Sequence, residues 1–318
     1  MTGYLPASPI FLPLMAGVLT ASVTSGLVLT RKFLRWGRAA AWAVLLVSVF
    51  FAERLTREEP GGLRMLAICA ALFFGFKSVV GTQDLAEGGT ALSADRWLGF
   101  VLTWPGMNPA TFSRRGARLP GAANLIGRGI AELSAGIAMT LFARWLWLRT
   151  HQPLLATGPL LIGLSLIGHF GLFSLSAGLW RLRGVPCVAP FQAPLASTSL
   201  SEFWSRRWNR PFSELIQRII YRPVSALAGR PAALSAGFLL SGILHELAIS
   251  VPARAGYGRP LAYFALQGAL VIAEKGLVAN GYEPRHRFAT LFAFTLPLPL
   301  LLIPQFFRAA IWPIIGAR

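Results

Sequence analysis

The chain contains a series of apolar runs long enough to cross a lipid bilayer. A membrane-spanning helix needs roughly 20 consecutive apolar residues, and such runs recur along all 318 residues. Each run is continuously apolar and does not alternate as the strands of a membrane β-barrel do. The sequence therefore predicts an all-α polytopic membrane protein with about eight transmembrane helices. The predicted spans are 10–30, 39–52, 65–81, 122–148, 153–180, 231–251, 260–280 and 288–313.

Charged residues are scarce, and most of them are positive. They make up 13% of the chain, against roughly 25% in soluble domains, and the net charge is +18. In a soluble domain such a charge would suggest nucleic-acid binding. Here the arginines lie between the apolar runs, where basic residues set topology and contact anionic lipid headgroups. We therefore expect membrane lipids, and no nucleic acid, among the partners.

The distribution of basic residues predicts how the chain is oriented. With the N-terminus outside, the inside loops carry about three times as many arginines and lysines as the outside loops. This places the segment 181–230, where positive charge is densest, in the cytoplasm. Other inside residues are Arg31, Lys32, Arg35 and Arg38 after the first span and Arg285 before the last.

The N-terminal region lacks the charge pattern of a secretory signal. Its first nine residues carry no charged side chain, so we expect the first span to be retained. Arginine greatly outnumbers lysine, which favours a GC-rich, bacterial genome and hence a bacterial cytoplasmic membrane. No internal repeat or linker is evident, so residues 1–318 are predicted to form one membrane domain.

Residues 97–104 form an apolar piece too short to span the bilayer, and it ends at Pro105-Gly106. We predict a re-entrant or interfacial helix, which is tolerated only where protein covers its free backbone groups. The two cysteines, Cys69 and Cys187, have neither zinc-ligand spacing nor the pattern of a disulfide framework. No metal or bound cofactor is expected.

The segment 199–223 combines basic and aromatic residues with helix-start signals. Ser199 and Glu202 have the spacing of a capping box, which predicts a short helix. Trp204 and Trp208 suit a membrane interface. Asn209 precedes Arg210-Pro211, and Asn and Pro are favoured at the N-cap and in the first helical turn. The spacing alone therefore favours Asn209 as a cap, followed by an amphipathic interfacial helix.

One histidine, His245, lies within the apolar span 231–251. Ionisable groups at membrane depth are costly and are candidates for function, although a packing histidine is an equally weighted alternative. A neutral imidazole is the usual general base. Glu246 points about 100° away on a helix and so is not automatically the partner of His245. His169, inside the fifth span, is a weaker candidate of the same kind.

The motif Ser-Leu-x-x-Phe-Trp-x-x-Arg-Trp-Asn at 199–209, followed by a histidine in Ser-Gly-x-x-His-Glu at 241–246, resembles the wax-synthase-like branch of the membrane-bound O-acyltransferase (MBOAT) family. The turn Trp-Pro-Gly-Met-Asn-Pro at 104–109 is similar to a turn of that branch. The likeness covers roughly residues 97–280, and the preceding spans match only as generic membrane helices.

The resemblance implies an MBOAT-like fold and acyl transfer from an acyl thioester, acyl-CoA, to a hydrophobic alcohol. His245 would be the catalytic base, and Asn209 would stabilise the oxyanion or orient the donor. No cofactor is implied beyond acyl-CoA as co-substrate, and the resemblance leaves protein partners unknown. The arginines would meet coenzyme A phosphates. The substrate-binding candidates are Trp204, Arg206, Arg207, Trp208, Glu246 and His169.

Two alternatives stay open at this stage. The same fold could acylate a sugar, a polyol or another lipid or glycan acceptor. A non-catalytic lipid transporter would use the intramembrane charges as a passage, although no inverted repeat is visible. Arg128 and Glu132 have the spacing to pair with each other. Lys77 and Glu274 are expected to pair across helices or to line a polar passage.

The catalytic hypothesis makes one geometric demand. On a straight helix His245 lies about 20 Å along from Pro231, whereas Asn209 is predicted at the cytoplasmic interface. The two residues share a site only if the segment 199–223 dips into the membrane or a deep funnel reaches His245.

Overall fold

The computed structural model describes residues 2–31, 35–283 and 287–317. Lys32 and Arg285, which contributed to the predicted orientation, lie outside these residues. The described chain is built from helices without a β-strand, which confirms the all-α architecture. The helices are α1 Phe11–Leu29, α2 Gly37–Leu55, α3 Gly61–Ala86, α4 Ala94–Leu102, α5 Ala122–Thr150, α6 Pro153–Ser165, α7 Phe173–Leu182, α8 Leu200–Glu202, α9 Arg210–Ile216, α10 Arg222–His245, α11 Val251–Ala253, α12 Arg259–Ala279, α13 Arg287–Thr295 and α14 Pro304–Phe306.

Five π-helical segments continue or join these helices. π-helical turns are rare and occur frequently at functional sites. The five segments in this chain are Leu166–Leu172, Phe203–Arg207, Gln217–Tyr221, Glu246–Ser250 and Phe307–Ile311.

Within the described residues, six helices are long and apolar enough to cross a membrane, or seven if one bent pair counts as a span. The protein is thus an integral, polytopic membrane protein. The predicted second span corresponds to α2, which has 19 residues but falls outside the six because its ends carry charge. The span predicted at 288–313 is not one straight helix. Two helical pieces there meet at 76°, because Pro297, Pro299 and Pro304 interrupt the hydrogen-bond ladder.

Small residues bring the long helices into close contact. A Cβ atom at Gly136 in α5 would lie 2.8 Å from the carbonyl oxygen of Gly163 in α6, and one at Gly163 would lie 2.8 Å from the carbonyl oxygen of Gly136. Helices in membranes associate through this kind of backbone approach, because lipid provides no hydrophobic drive between them. The glycine pair therefore fixes the crossing of α5 and α6.

The predicted re-entrant piece is α4, and Lys77 supplies the partner for its free backbone groups. The Lys77 ammonium donates to the carbonyl oxygens of Phe100 at 2.8 Å, Trp104 at 2.7 Å and Gly106 at 2.6 Å. It also lies 3.7 Å from the centroid of the Phe100 ring. Lys77 is fully buried, so it holds the 100–106 turn in place and does not line a passage.

The other intramembrane charges that the sequence singled out, Arg128, Glu132 and Glu274, also make structural contacts. Arg128 and Glu132 form the predicted ion pair at 2.7 Å. The carboxylate of Glu274 accepts from the backbone N–H groups of Leu200 at 2.7 Å and Ser201 at 2.8 Å. Glu274 therefore anchors the beginning of α8 to α12.

Candidate active site

Asn209 begins α9 in a left-handed backbone conformation. Its φ and ψ are 44° and 56°, a region that Asn tolerates better than most residues. The side-chain oxygen accepts from the backbone N–H of Phe212 at 3.4 Å, and Pro211 occupies the first turn. The predicted cap is confirmed, and it turns the chain sharply after Trp208.

The chain then reverses at Gly229, next to the predicted Arg230-Pro231 break. Gly229 has φ 82° and ψ 170°, a conformation that essentially only glycine adopts. The returning arm, residues 231–245, passes so close to α9 that a Cβ atom at Gly237 would lie 2.7 Å from Cγ2 of Ile216. This hairpin brings the end of α10 back towards the start of α9.

A cavity of about 500 Å³ lies between this hairpin, α12 and the 201–209 segment. We call it the hairpin cavity. Its volume is within the range of about 300–1,000 Å³ that is usual for ligand pockets. Asn209 and His245 both line it, so the geometric demand that the two share a site is met. The sequence-predicted candidates along its wall are His169, Trp204, Trp208, Asn209 and His245.

His245 has a hydrogen-bonding arrangement that defines which ring nitrogen is free. Its Nδ1 lies 2.7 Å from the carbonyl oxygen of Ser241. A carbonyl only accepts, so Nδ1 carries the hydrogen and Nε2 of the neutral ring keeps its lone pair. No described residue hydrogen-bonds to Nε2, and the ring packs against Phe264 with centroids 4.3 Å apart. His245 is also the last residue before the π-helical segment Glu246–Ser250.

Trp204 is held by a glutamine that the sequence analysis missed. Its indole Nε1 donates to Oε1 of Gln267 at 3.1 Å, and Nε2 of Gln267 donates to the carbonyl oxygen of Ala293 at 3.0 Å. Gln267 is fully buried within α12. A polar residue in an apolar span was the available signal.

The opposite wall of the hairpin cavity contains Trp208 and His169. The Trp208 ring lies 6.1 Å from the ring of His169 and 5.0 Å from that of Phe191, measured between centroids. His169 is exposed at the edge, and its Nδ1 lies 3.2 Å from Oγ of Ser165. These contacts make both residues part of an aromatic wall.

Three predicted substrate-binding residues lie outside the hairpin cavity. Arg207 forms an ion pair with Glu202 at 2.7 Å. Oε1 of Glu246 accepts from the backbone N–H groups of Gly258 at 2.9 Å and Leu261 at 3.0 Å. Oε1 of Glu246 therefore caps α12, whereas its buried Oε2 has no hydrogen-bond partner among the described residues. Arg206 is exposed and has no acidic partner in the described chain.

The cation that does line the hairpin cavity is Lys275 of α12. It is exposed and makes no ion pair with a described residue. Sequence analysis concentrated on the arginines of 199–223 and passed over this lysine. It lies eleven positions after Phe264 on α12, which is about 16 Å along a helix. The hairpin cavity thus extends from His245 towards a positively charged end.

The start of the 199–207 segment is fixed by a modified capping box. Oγ of Ser199 accepts from the N–H of Glu202 at 3.0 Å, as predicted. The carboxylate of Glu202 reaches back to the N–H of Thr198 at 2.9 Å. This backbone hydrogen bond, together with the contact to Arg207, holds the pKa of Glu202 below its usual value.

Among residues 2–31, 35–283 and 287–317, no group of three or more His, Cys, Asp or Glu side chains is arranged to hold a metal ion. The chemistry available at the hairpin cavity is that of an unprotonated imidazole nitrogen, a side-chain amide, aromatic walls and one exposed ammonium.

Residues 187–266 match the membrane bound O-acyl transferase family. This segment contains both Asn209 and His245 and the whole hairpin between them. The match confirms the family resemblance seen in the sequence motifs.

Similar plant proteins are named as alcohol acyltransferases. The probable long-chain-alcohol O-fatty-acyltransferase 7 of Arabidopsis thaliana is 33% identical over 26% of this chain and 27% of its own. The long-chain-alcohol O-fatty-acyltransferase of Simmondsia chinensis is 32% identical over 20% of each chain. The acyl-CoA–sterol O-acyltransferase 1 of Arabidopsis thaliana is 26% identical over 36% of this chain and 35% of its own. The chain thus matches about a quarter of the first relative's length, and these plant proteins do not support a bacterial location.

Proposed function

We propose that the chain transfers a fatty acyl group from an acyl thioester to the hydroxyl of an alcohol, as its similarity to the membrane-bound O-acyltransferase family over residues 187–266 and to long-chain-alcohol acyltransferases suggests. One observation carries the proposal: Asn209 and His245, from opposite arms of the hairpin, line the same cavity. A base and a hydrogen-bond donor in one cavity are what direct acyl transfer needs.

His245 is the proposed general base. Nδ1 is committed to the Ser241 carbonyl, so Nε2 accepts the hydroxyl proton while the alcohol oxygen attacks the thioester carbonyl carbon. The new C–O bond forms first, and the C–S bond then breaks. The departing thiolate takes the proton from the imidazolium. The products are an ester and a free thiol, and no acyl-enzyme is required.

Asn209 is the proposed oxyanion donor. Its Oδ1 accepts from the Phe212 N–H, which leaves the two Nδ2 hydrogens available to the hairpin cavity. An amide donor placed where negative charge develops stabilises the tetrahedral state more than the substrate. The cap therefore also orients the side chain for chemistry.

Acyl-CoA is the proposed donor, and its polar head enters from the side of Lys275. An exposed ammonium at the end of a mostly apolar cavity suits a phosphate-bearing head with an acyl chain inside. Arg207 pairs with Glu202, so we propose Lys275 ahead of Arg207 as the contact for the phosphates. Arg206, which is exposed, is the proposed second contact.

A long-chain alcohol is the proposed acceptor, which gives a wax ester. The relatives named as long-chain-alcohol acyltransferases support this choice. The relative named as a sterol acyltransferase favours another lipid alcohol as the second candidate. The transporter alternative loses support because Lys77, Glu274 and the Arg128–Glu132 pair make structural contacts.

We propose a multi-pass location in a cytoplasmic membrane. The orientation bias of the basic loops supports a cytoplasmic face for the segment 181–230. A bacterial source rests only on the excess of arginine over lysine.

The test compares His245→Asn with His151→Asn in purified, detergent-solubilised protein. His151 is exposed, lies outside the hairpin cavity and has a left-handed backbone conformation that Asn tolerates. With palmitoyl-CoA and hexadecanol, we expect release of free coenzyme A thiol and formation of a neutral ester. His245→Asn should lower kcat by at least about a hundredfold, and His151→Asn should leave it unchanged. Full activity in a folded His245→Asn variant would refute the proposed mechanism.

A further inference from the structure

A second cavity of about 710 Å³ lies between α2, α3 and residues 217–223. We call it the basic cavity, because four arginines line it together with two tryptophans. These residues are Arg35, Arg38, Arg218, Arg222, Trp36 and Trp42. It has no lining residue in common with the hairpin cavity.

One helical stretch separates the two cavities. Ile216 and Gln217 line the hairpin cavity, whereas Arg218 and Arg222 line the basic cavity. The stretch formed by α9 and the π-helical segment Gln217–Tyr221 therefore has a different cavity on each side. A ligand in the basic cavity would contact the side of this stretch that faces away from the hairpin cavity, without reaching His245.

The positive charge of the basic cavity is only partly neutralised. Arg218 pairs with Asp84 at 2.9 Å and with Glu87 at 3.6 Å. Arg222 lies 3.8 Å from the same Glu87. Arg35 and Arg38 have no acidic partner among the described residues and are exposed. Two guanidinium groups are therefore available, and guanidinium matches the geometry of phosphate oxygens.

Four apolar side chains line the part of the basic cavity that we call its floor, and Thr82, Gln83 and Glu87 also line the cavity. The floor residues are Ala39, Trp42, Val79 and Ile219, and Trp42 packs edge-on against Phe76. A cationic rim above an apolar floor fits an amphiphile better than a free phosphate or a nucleotide, which would leave the floor uncovered.

Trp36 indicates where the basic cavity lies relative to the bilayer. It is 73% exposed, and the guanidinium carbon of Arg35 lies 5.7 Å from its ring centroid. Tryptophan and arginine side chains of this kind are enriched at membrane–water interfaces. Basic pockets between transmembrane helices at this level bind acidic headgroups.

We propose that the basic cavity binds the headgroup of an anionic phospholipid, with Arg35 and Arg38 on its phosphate and the glycerol and first acyl methylenes on the apolar floor. The lipid would connect α2 to the wall shared with the hairpin cavity. The proposal stands independently of the acyl-transfer chemistry.

The experiment measures lipid retention by native mass spectrometry of the full chain in a neutral detergent. Phosphatidylglycerol and phosphatidylcholine with identical acyl chains are offered together. We expect phosphatidylglycerol to be retained preferentially, and Arg35→Gln/Arg38→Gln to reduce the preference on the order of tenfold. The charge-matched control is Arg114→Gln/Arg118→Gln, because both arginines are exposed on a loop away from either cavity. It should keep the preference.

A second variant changes the floor and leaves every charge in place. Ala39 is exposed at the basic cavity, so Ala39→Trp should occupy the space of the lipid glycerol and also reduce retention. Equal loss in the charge-matched control would overturn the proposal, because general charge would then explain binding. Displacement of the lipid by glycerol 1-phosphate or by acyl-CoA at micromolar concentration would overturn it as well, in favour of a free-phosphate or donor-head site.

Discussion

The indole nitrogen of Trp204 donates a hydrogen bond to the side-chain oxygen of Gln267, across 3.1 Å. This contact joins the π-helical segment Phe203–Arg207 to the middle of α12. It also fixes one wall of the hairpin cavity, since the Trp204 ring lies 5.8 Å from that of Phe264, which in turn packs on His245.

We predict that Trp204→Phe lowers both stability and turnover. The change keeps an aromatic ring but leaves the buried Oε1 of Gln267 without its donor, which costs about 1–3 kcal/mol. Thermal unfolding in detergent and steady-state kinetics measure the two effects. Trp145→Phe is the control, because Trp145 is exposed and lines neither the hairpin cavity nor the basic cavity. An unchanged unfolding temperature for Trp204→Phe would contradict the importance of this hydrogen bond.

Lys77→Met is expected to prevent stable folding. The substitution removes the donor from three buried carbonyl oxygens of the 100–106 turn, at about 1–3 kcal/mol for each unsatisfied group. Size-exclusion chromatography and thermal unfolding report the loss. Lys275→Met is the matched control, since Lys275 is exposed, and its unfolding temperature should not move. A Lys77→Met variant as stable as the parent chain would show that the turn does not need this lysine.

Lys275→Gln is expected to raise KM for palmitoyl-CoA while kcat stays nearly constant. An exposed contact with a phosphate contributes less than about 1 kcal/mol, so the rise should be up to about fivefold. The discriminating substrate is the palmitoyl thioester of N-acetylcysteamine, which carries no phosphate. The KM for this phosphate-free thioester should be the same for the parent and for Lys275→Gln. Equal increases for both donors would mean that Lys275 acts on the shape of the hairpin cavity and not on phosphate.

Glu202 gives a prediction for the pH dependence of stability. Its pKa is lowered from the ordinary 4.5, first by the Thr198 backbone N–H and also by Arg207. A lowered folded-state pKa contributes stability above about pH 4.5, and this is lost as the pH falls through the folded-state value. Glu202→Gln should therefore be less stable than the parent at pH 7. The difference in unfolding temperature between the parent and Glu202→Gln should become smaller below about pH 4.5. A constant gap from pH 7 to pH 3 would contradict this linkage.

Local signals in the sequence predicted the parts of the site that depend on local geometry. The Asn209 cap and the Ser199 capping interaction follow from residue types at fixed offsets. The break near Pro231 follows from the missing proline donor, although the residue that turns the chain is Gly229. The re-entrant 97–104 piece was recognisable because it is too short to span.

Tertiary contacts explain what the sequence could not show. The fold brings Lys77, Gln267 and Lys275 next to residues that are far away in the chain. No spacing rule links these positions in the sequence. Glu246 and Arg207 are predicted at the substrate because of their position in the motif. In the structure, Glu246 contacts the start of α12, and Arg207 contacts Glu202. The π-helical segments also escaped prediction, since they have no simple periodic pattern.

The reversal at Gly229 restricts how many residues can separate Asn209 from His245. Because residues 210–228 are almost entirely helical, each inserted or deleted residue would rotate Asn209 by about 100° relative to the returning arm. The cap would still form, yet its amide would point away from His245. Functional homologues should therefore keep the separation between this asparagine and this histidine constant, or change it by whole helical turns, even where the intervening side chains differ.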